Sequence, residues 1–428
     1  MAQYDTWQQT FALAMCAPLV NLIRGTEDRL QQIYQDKLPE YISAYGNWSV
    51  VWGPVIWKQY PRDFLSGPDN SWYVAYNPSV LFEDGNSYPT YVIAVAATSG
   101  IFLLSFDWRV EDAGVDRVID WNSWIKSGIF NLPPEPTRKP TPNSPYIAEG
   151  TGNATYRLLS TAPPAGAKQA GLSLFVWLKQ VAASNAASGT RAMFIFTGHS
   201  LGGALAPSLA LGLVQGRALP LSSTCDVRAY PIAGPSPGNS NFAALFNATF
   251  PASPAVTPGL AYRCWNLDLV NSQDIVPQAW CIVRADSPGQ NIQNIATMYM
   301  RGTPPLAPVR AVVDSMILWA SLCGTVYVPL QASIFTLHVP NEAVPRTIEQ
   351  FVEHAAPNHK VAYATYVNVP AITPPSIEGY EGLSVQTETD DKATANYPVL
   401  REAEVTAHAL AAVVKAEEIK IIEDIERL

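Results

Sequence analysis

The chain has 428 residues, 48% hydrophobic and 15% charged, a balance that supports a large apolar core and excludes wholesale disorder. Against 36 Asp and Glu there are 27 Lys and Arg, a formal charge of −9 with no basic cluster, so no nucleic-acid partner is expected. The five cysteines (Cys16, Cys225, Cys264, Cys281, Cys323) form no CxxC pair and the five histidines no metal-ligand spacing, so buried thiols and no metal or cofactor are expected.

Residues 5–45 read as helical. Thr26 caps a second helix, with Glu27 and Asp28 in the first turn where the helix dipole favours negative charge. The apolar stretch from Phe11 to Val20 has no Lys or Arg before it and does not read as a signal peptide, which leaves the cytoplasm as the default compartment and secretion open. A strand pair, Trp72 to Tyr76 and Tyr91 to Val95, flanks a turn with Asp84-Gly85. The proline-rich run 133–145, PPEPTRKPTPNSP, reads as a surface loop within one domain.

A helix is expected over 168–183, then a buried parallel strand at Met193 to Phe196 and another helix after Ser200. Cys225 to Ile232 and Tyr262 to Leu267 read as further strands. Strands alternating with helices predict a mostly parallel sheet of the α/β class. Ala311 to Leu330 comes nearest to a membrane span, but it contains Asp314 and ends in Val-Pro, so it reads as a surface or core helix. The tail from Val399 to Leu428 reads as a charged amphipathic helix.

The strongest chemical signal is Gly198-His199-Ser200-Leu201-Gly202, followed by Gly203. The pattern G-x-S-x-G is weak alone, but here it follows an apolar strand and opens a small-residue helix, the setting of a nucleophile elbow. Such a serine sits on a strained turn, and Gly198 and Gly202 leave room where a Cβ would clash. The helix N-terminus aims free N–H groups at the site, and the Leu201 N–H is the expected oxyanion donor. Pro207 is expected to kink the helix that follows.

GHSLGGALA at 198–206 resembles the elbow of the class 3 lipases, the fungal-lipase-like α/β-hydrolases. Pro237-Gly238-Asn239 with Phe242-Ala243 and Phe246 is similar to that family's segment after the next strand. Val270-Asn271-Ser272-Gln273-Asp274-Ile275-Val276-Pro277 is similar to its acid motif, so the resemblance implies Asp274 as triad acid, with Asp268 the rival. It spans roughly residues 72–370 and implies one α/β-hydrolase domain over 1–428, with N-terminal helices (1–71), a C-terminal extension (371–428) and a lid or cap.

The histidine stays open among four. His408 lies in the charged tail and His338 in the apolar run FTLHVP, read as strand or core; His354 and His359 flank the sequence AAPN, read as a short loop. Asn358-His359-Lys360 with Tyr363 and Tyr366 is most similar to the family's histidine segment, so His359 is implied and His354 is the alternative. His199 reads as a packing residue. The second oxyanion donor is implied at Thr98, with Ser99 as fallback; Ala96-Ala97 replaces the family's Arg-Gly there.

The apolar, aromatic run from Ile101 through Trp108 to Trp121, Trp124 and Phe130 fits either a flap over a greasy pocket or ordinary core. The function these features imply is a serine carboxylic-ester hydrolase, acting through a Ser-His-Asp triad on acyl-lipid or other apolar esters. Lipase, phospholipase A1 and short-chain or aryl esterase all remain within it, and the oligomeric state is open. The alternative is a catalytically silent α/β-hydrolase-fold protein that binds lipid or a partner.

Overall fold

The computed structural model describes residues 4–97, 114–253, 259–339 and 343–375. The chain separates into a unit Met1–Gly379 and a second, Tyr380–Leu428, which lies outside the described residues. The expected tail helix lies there too.

Helix α1 (Thr6–Cys16) opens with a capping box: Asp5 accepts from the Gln8 N–H, and the Gln8 side chain accepts from the Asp5 N–H. Helix α2 (Glu27–Ser43) is capped by the Thr26 hydroxyl, as the sequence predicts. An antiparallel meander follows, β1 (Ser49–Trp57), β2 (Asn70–Leu81) and β3 (Ser87–Ala97), with Gly85 at φ +81° in the expected turn. Then come β4 (Val118–Asp120), α3 (Trp121–Ser127), β5 (Tyr146–Ala148), α4 (Glu149–Ser160) and α5 (Leu174–Ser188).

Helix α5 starts six residues later than the expected 168. Lys168 exchanges backbone hydrogen bonds with Gly53 at 2.8 and 3.0 Å, which holds that stretch extended. The elements β6 (Ala192–His199), α6 (Leu201–Gln215) and β7 (Cys225–Ile232) fall where the sequence puts them. After β8 (Gly238–Asn239) and α7 (Ser240–Thr249), the strand expected at 262–267 is instead β9 (Asp268–Asn271). The apolar Tyr262 and Trp265 are buried as loop residues, and Asn266, at φ +64°, caps the Ala229 N–H through its side chain at 2.9 Å. The chain ends its described part with α8 (Ala307–Ser321), β10 (Tyr327–Val328), β11 (Ala332–Phe335), α9 (Ile348–His359) and α10 (Val361–Val367).

The main sheet has the order β1-β2-β3-β6-β7-β9-β11, antiparallel through β3 and parallel from β3 onward. A small antiparallel sheet, β10-β8-β5-β4, stands beside it. Both faces of the main sheet are buried, which is why β6 is apolar from Ala192 to Phe196. Phe194 and Phe196 join the core on one face with Leu205 and Leu209 of α6; Met193 and Ile195 join the other with Phe11 and Leu13 of α1. All five cysteines are free and buried, and burial pushes their thiols up. Among the described residues no helix is long and apolar enough to cross a membrane.

Candidate active site

Ser200 stands between β6 and α6 at φ +63° and ψ −129°, the strained turn the sequence predicts. A backbone held there costs about 1–3 kcal/mol, so the packing around it must enforce it. A Cβ on Gly198 would lie 2.5 Å from the carbonyl oxygens of Val95 and Gly202. A Cβ on Gly202 would strike the Val95 carbonyl, and one on Gly203 would lie 2.6 Å from the Ile232 carbonyl oxygen. The elbow therefore sits directly on β3 and β7, locked by bonds from Ser200 N–H to Ile232 (3.0 Å) and from Gly203 N–H to Ser200 (2.7 Å). Leu201 is the first residue of α6, so its N–H is among those a helix leaves unpaired at its start.

The acid side is built from the end of β9. Asp274 is fully buried; one carboxylate oxygen accepts from the Val276 N–H at 3.0 Å. The other takes the His359 Nδ1–H at 2.8 Å and the Tyr363 hydroxyl at 2.9 Å. Tyr363 in turn accepts from the Asn271 N–H at 2.9 Å, so one phenol fixes both the carboxylate and the strand end. Burial and the Asp274 charge push the Tyr363 phenol well up, which keeps it a donor.

Asn271 completes the frame. Its amide donates to the carbonyls of Leu337 (2.9 Å) and Asn358 (3.2 Å) and accepts from the Leu337 N–H (3.1 Å). These bonds clamp the chain just past β11 and the end of α9 onto β9.

Of the candidate histidines among the described residues, His359 is the one bonded to Asp274, and it packs against His199, the neighbour of Ser200. The His199 Nε2–H donates to the His359 carbonyl at 2.7 Å, and the two rings lie 4.3 Å apart between centroids. Burial, then the neighbouring His359, hold His199 well below the usual imidazole range, so it remains a neutral donor. With Nδ1 of His359 committed to Asp274, Nε2 is its remaining nitrogen. His199 thus does more than pack: it ties β6, which leads into Ser200, to the end of α9.

His354 is buried on the same helix but stacks on Tyr299, with centroids 5.5 Å apart, and does not contact Asp274. The segment AAPN is not a loop. Residues 355–358 lie inside α9, because Phe351, His354, Ala355 and Asn358 are buried at helical spacing and hold the turn through Pro357. His338 is exposed just past β11 rather than in a strand or the core. Asp268, the rival acid, is part of β9 and accepts only from the Gly234 N–H, at 3.1 and 3.3 Å. Thr98, Ser99, the aromatic run 101–108 and His408 lie outside the described residues. Trp121 and Trp124 are fully buried core residues, and Phe130 is exposed.

The second sequence motif has a structural role. Asn239 caps α7 and also accepts from the Tyr146 N–H at 3.0 Å, and a Cβ on Gly238 would strike the Tyr146 carbonyl. It ties β5 of the small sheet to the start of α7.

The family model "Lipase (class 3)" matches residues 133–283, which include the elbow and Asp274. Over that segment the chain is similar to the class 3 lipase family. The structure of M37 lipase is similar to this one at a TM-score of 0.62 and 22% identity, covering 85% of this chain and 93% of that one. The Yarrowia lipolytica Lip2 lipase matches at a TM-score of 0.36 and 15% identity, over 65% of this chain and 77% of its own. Lipase II from Rhizopus niveus matches at 0.33 and 16%, over 64% and 74%. No curated protein matches the chain. The fold is that of the α/β-hydrolases, with the G-x-S-x-G elbow at its centre, and the family match supports a lipase-type ester hydrolase.

Proposed function

We propose that the chain is a serine carboxylic-ester hydrolase that works through Ser200, His359 and Asp274 on acyl-lipid or other apolar esters. The observation that carries the reading is the buried 2.8 Å bond between His359 Nδ1 and Asp274, standing beside a serine on a strained elbow. His359 Nε2 takes the Ser200 proton as Oγ attacks the ester carbonyl. The developing oxyanion meets the Leu201 N–H, with Thr98 as the second proposed donor. The imidazolium formed is held by Asp274, whose other oxygen stays bound to the Val276 N–H. His359 returns the proton to the leaving alkoxide, and an activated water then frees the acyl group from Ser200.

The test is a panel of p-nitrophenyl esters from acetyl to palmitoyl with an emulsified triglyceride and a phospholipid. Ser200→Ala should lower kcat by at least about a thousandfold. The chain-length profile separates lipase, phospholipase A1 and short-chain esterase. Wild-type protein inert on every ester, and unlabelled by a fluorophosphonate, would point instead to a silent, lipid- or partner-binding relative.

A further inference from the structure

His359 is followed in the chain by a cation without a partner. Lys360 stands where α9 ends and α10 begins, at φ −122° and ψ −61°. Its backbone is bonded on both sides: the N–H donates to the Ala356 carbonyl at 3.1 Å, and its own carbonyl accepts from the Ala364 N–H at 3.3 Å. The carbonyl just before it, that of His359, is held by His199 at 2.7 Å. The root of the side chain is therefore fixed against the strand that leads into Ser200. The head is not. Lys360 is exposed, and among the described residues its ammonium makes no ion pair and no hydrogen bond. Burial nevertheless lowers the ammonium below the usual lysine range, and its charge acts on His199, lowering that imidazole too. An exposed residue whose charged end is partly desolvated lies in a recess open to water, and this recess adjoins His199, the neighbour of Ser200.

The charges around it do not neutralise it. Asp274 is fully buried and commits both oxygens to Val276, His359 and Tyr363. On α9, Glu353 acts on His354, as does Arg301, and Glu349 stands in the first turn at the far end of the helix. Helix α10 has no charged residue. Lys58 shows what a structural lysine is in this fold. Burial lowers it as well, but its ammonium donates to the carbonyls of Gly25 (2.8 Å), Asp63 (2.7 Å) and Ser66 (2.9 Å), and the Asp63 carboxylate is 4.0 Å away. Lys360 bears the same penalty with none of these partners. A desolvated cation that its own chain does not satisfy calls for an anion from outside.

We propose that Lys360 is a specificity-determining residue that receives an anionic group, phosphate or carboxylate, carried on the alcohol part of the ester. The inference rests on the ester-hydrolase reading. In that mechanism His359 passes its proton to the leaving alkoxide, so a cation rooted one residue beyond it stands beside the alcohol part rather than the acyl chain. An ammonium takes phosphate and carboxylate alike, as a point charge.

The test compares matched esters: para-butyryloxybenzoate against para-butyryloxybenzamide, and octanoylglycerol phosphate against octanoylglycerol. For each pair the quantity read is the ratio of kcat/KM, anionic over neutral, so that a general loss of activity cancels. Lys360→Met should lower the ratio at least about fivefold, Lys360→Glu should lower it further, and Lys360→Arg should retain it. A fall in one pair alone assigns the recess to that anion, phosphate or carboxylate. Added salt should shrink the wild-type ratio and leave that of Lys360→Met where it is. Ratios that ignore Lys360→Met in both pairs would overturn the proposal; a moved acid limb in the pH–rate profile would then assign Lys360 to tuning His359. A dependence confined to an anion on the acyl side, read with mono-p-nitrophenyl glutarate against p-nitrophenyl valerate, would overturn it too. Calorimetry on the full chain with Ser200→Ala gives a reading without turnover: octanoylglycerol phosphate should bind at least about fivefold more weakly once Lys360→Met is added. Wild-type protein inert on every ester, with that Lys360-dependent binding intact, would count against the hydrolase reading alone. Inert protein whose binding ignores Lys360 would sink both.

Discussion

Ser200 and His359 reach the same place by opposite routes. Ser200 stands between two consecutive elements, β6 and α6, and its conformation is enforced by backbone pressed against backbone: Gly198 and Gly202 on β3, Gly203 on β7. His359 closes a helix whose acid partner lies 85 residues earlier, and side chains of two separate segments hold it: Asp274 accepts from its ring and His199 donates to its carbonyl, while Asn271 donates to the carbonyl of the neighbouring Asn358. The serine side is therefore a matter of space, where one added methyl forces the chain apart. The histidine side is a matter of bonding, where a polar group can be exchanged with the fold intact. The two sides should fail differently when altered.

The largest expected effect on rate comes from the bonding side. Asp274→Asn keeps the shape of the buried group but leaves His359 without a carboxylate to hold its tautomer. The expected loss in kcat is about 10⁴-fold, with the unfolding midpoint little changed, read by ester hydrolysis alongside thermal unfolding. Equal loss in a matched Asp268→Asn variant would reverse the choice of acid.

On the space side, Gly202→Ala should act through stability. Its Cβ meets the Val95 carbonyl, a backbone atom that cannot swing aside, so a loss of about 3 kcal/mol or more is expected in denaturant unfolding. A stable Gly202→Ala protein with unaltered activity would break the contrast drawn between the two sides.

The smallest effect sharpens it. Burial holds the Asp268 carboxyl well above the usual carboxylate range, with the Asp274 charge adding to the rise and the Gly234 N–H opposing it. A carboxyl whose native pKa is raised binds its proton more tightly folded than unfolded. Its contribution is complete below the ordinary Asp value, about 3.9, and is lost as pH climbs through the higher native value. Asp268→Asn can still accept from Gly234 and has no charge to bury. It should leave the rate within a few-fold and raise stability relative to wild type by an amount that grows with pH over that window. Melting curves from pH 4 to pH 8 test this; a difference that shrinks as pH rises would contradict it.

Much of the fold was legible before any coordinates, and the reasons are local. Met193 to Phe196 form a wholly apolar run, the glycines around Ser200 follow that run and open a small-residue helix, and the Thr26 cap announced α2. The errors have a common origin as well. Tyr262 to Leu267 is apolar enough for a strand, but its Tyr and Trp fill the core from a loop and the pairing begins at Asp268. AAPN carries turn-forming residues, yet the buried spacing 351, 354, 355, 358 keeps it helical, a signal already present in the sequence. The roles of Tyr363 and His199 had no comparable signal, since each depends on an atom more than 80 residues away.

By itself the sequence determined the elbow around Ser200, because a strand, a turn and a helix that follow one another write their geometry into neighbouring residues. It determined the α/β class by the same means, through apolar runs alternating with helical spacing. Tertiary structure alone decided the bonds that tie Tyr363 to Asp274 and His199 to the His359 carbonyl. Those outcomes depend on strand order and on hydrogen bonds between distant segments, and neither leaves a periodic trace in the chain that makes them.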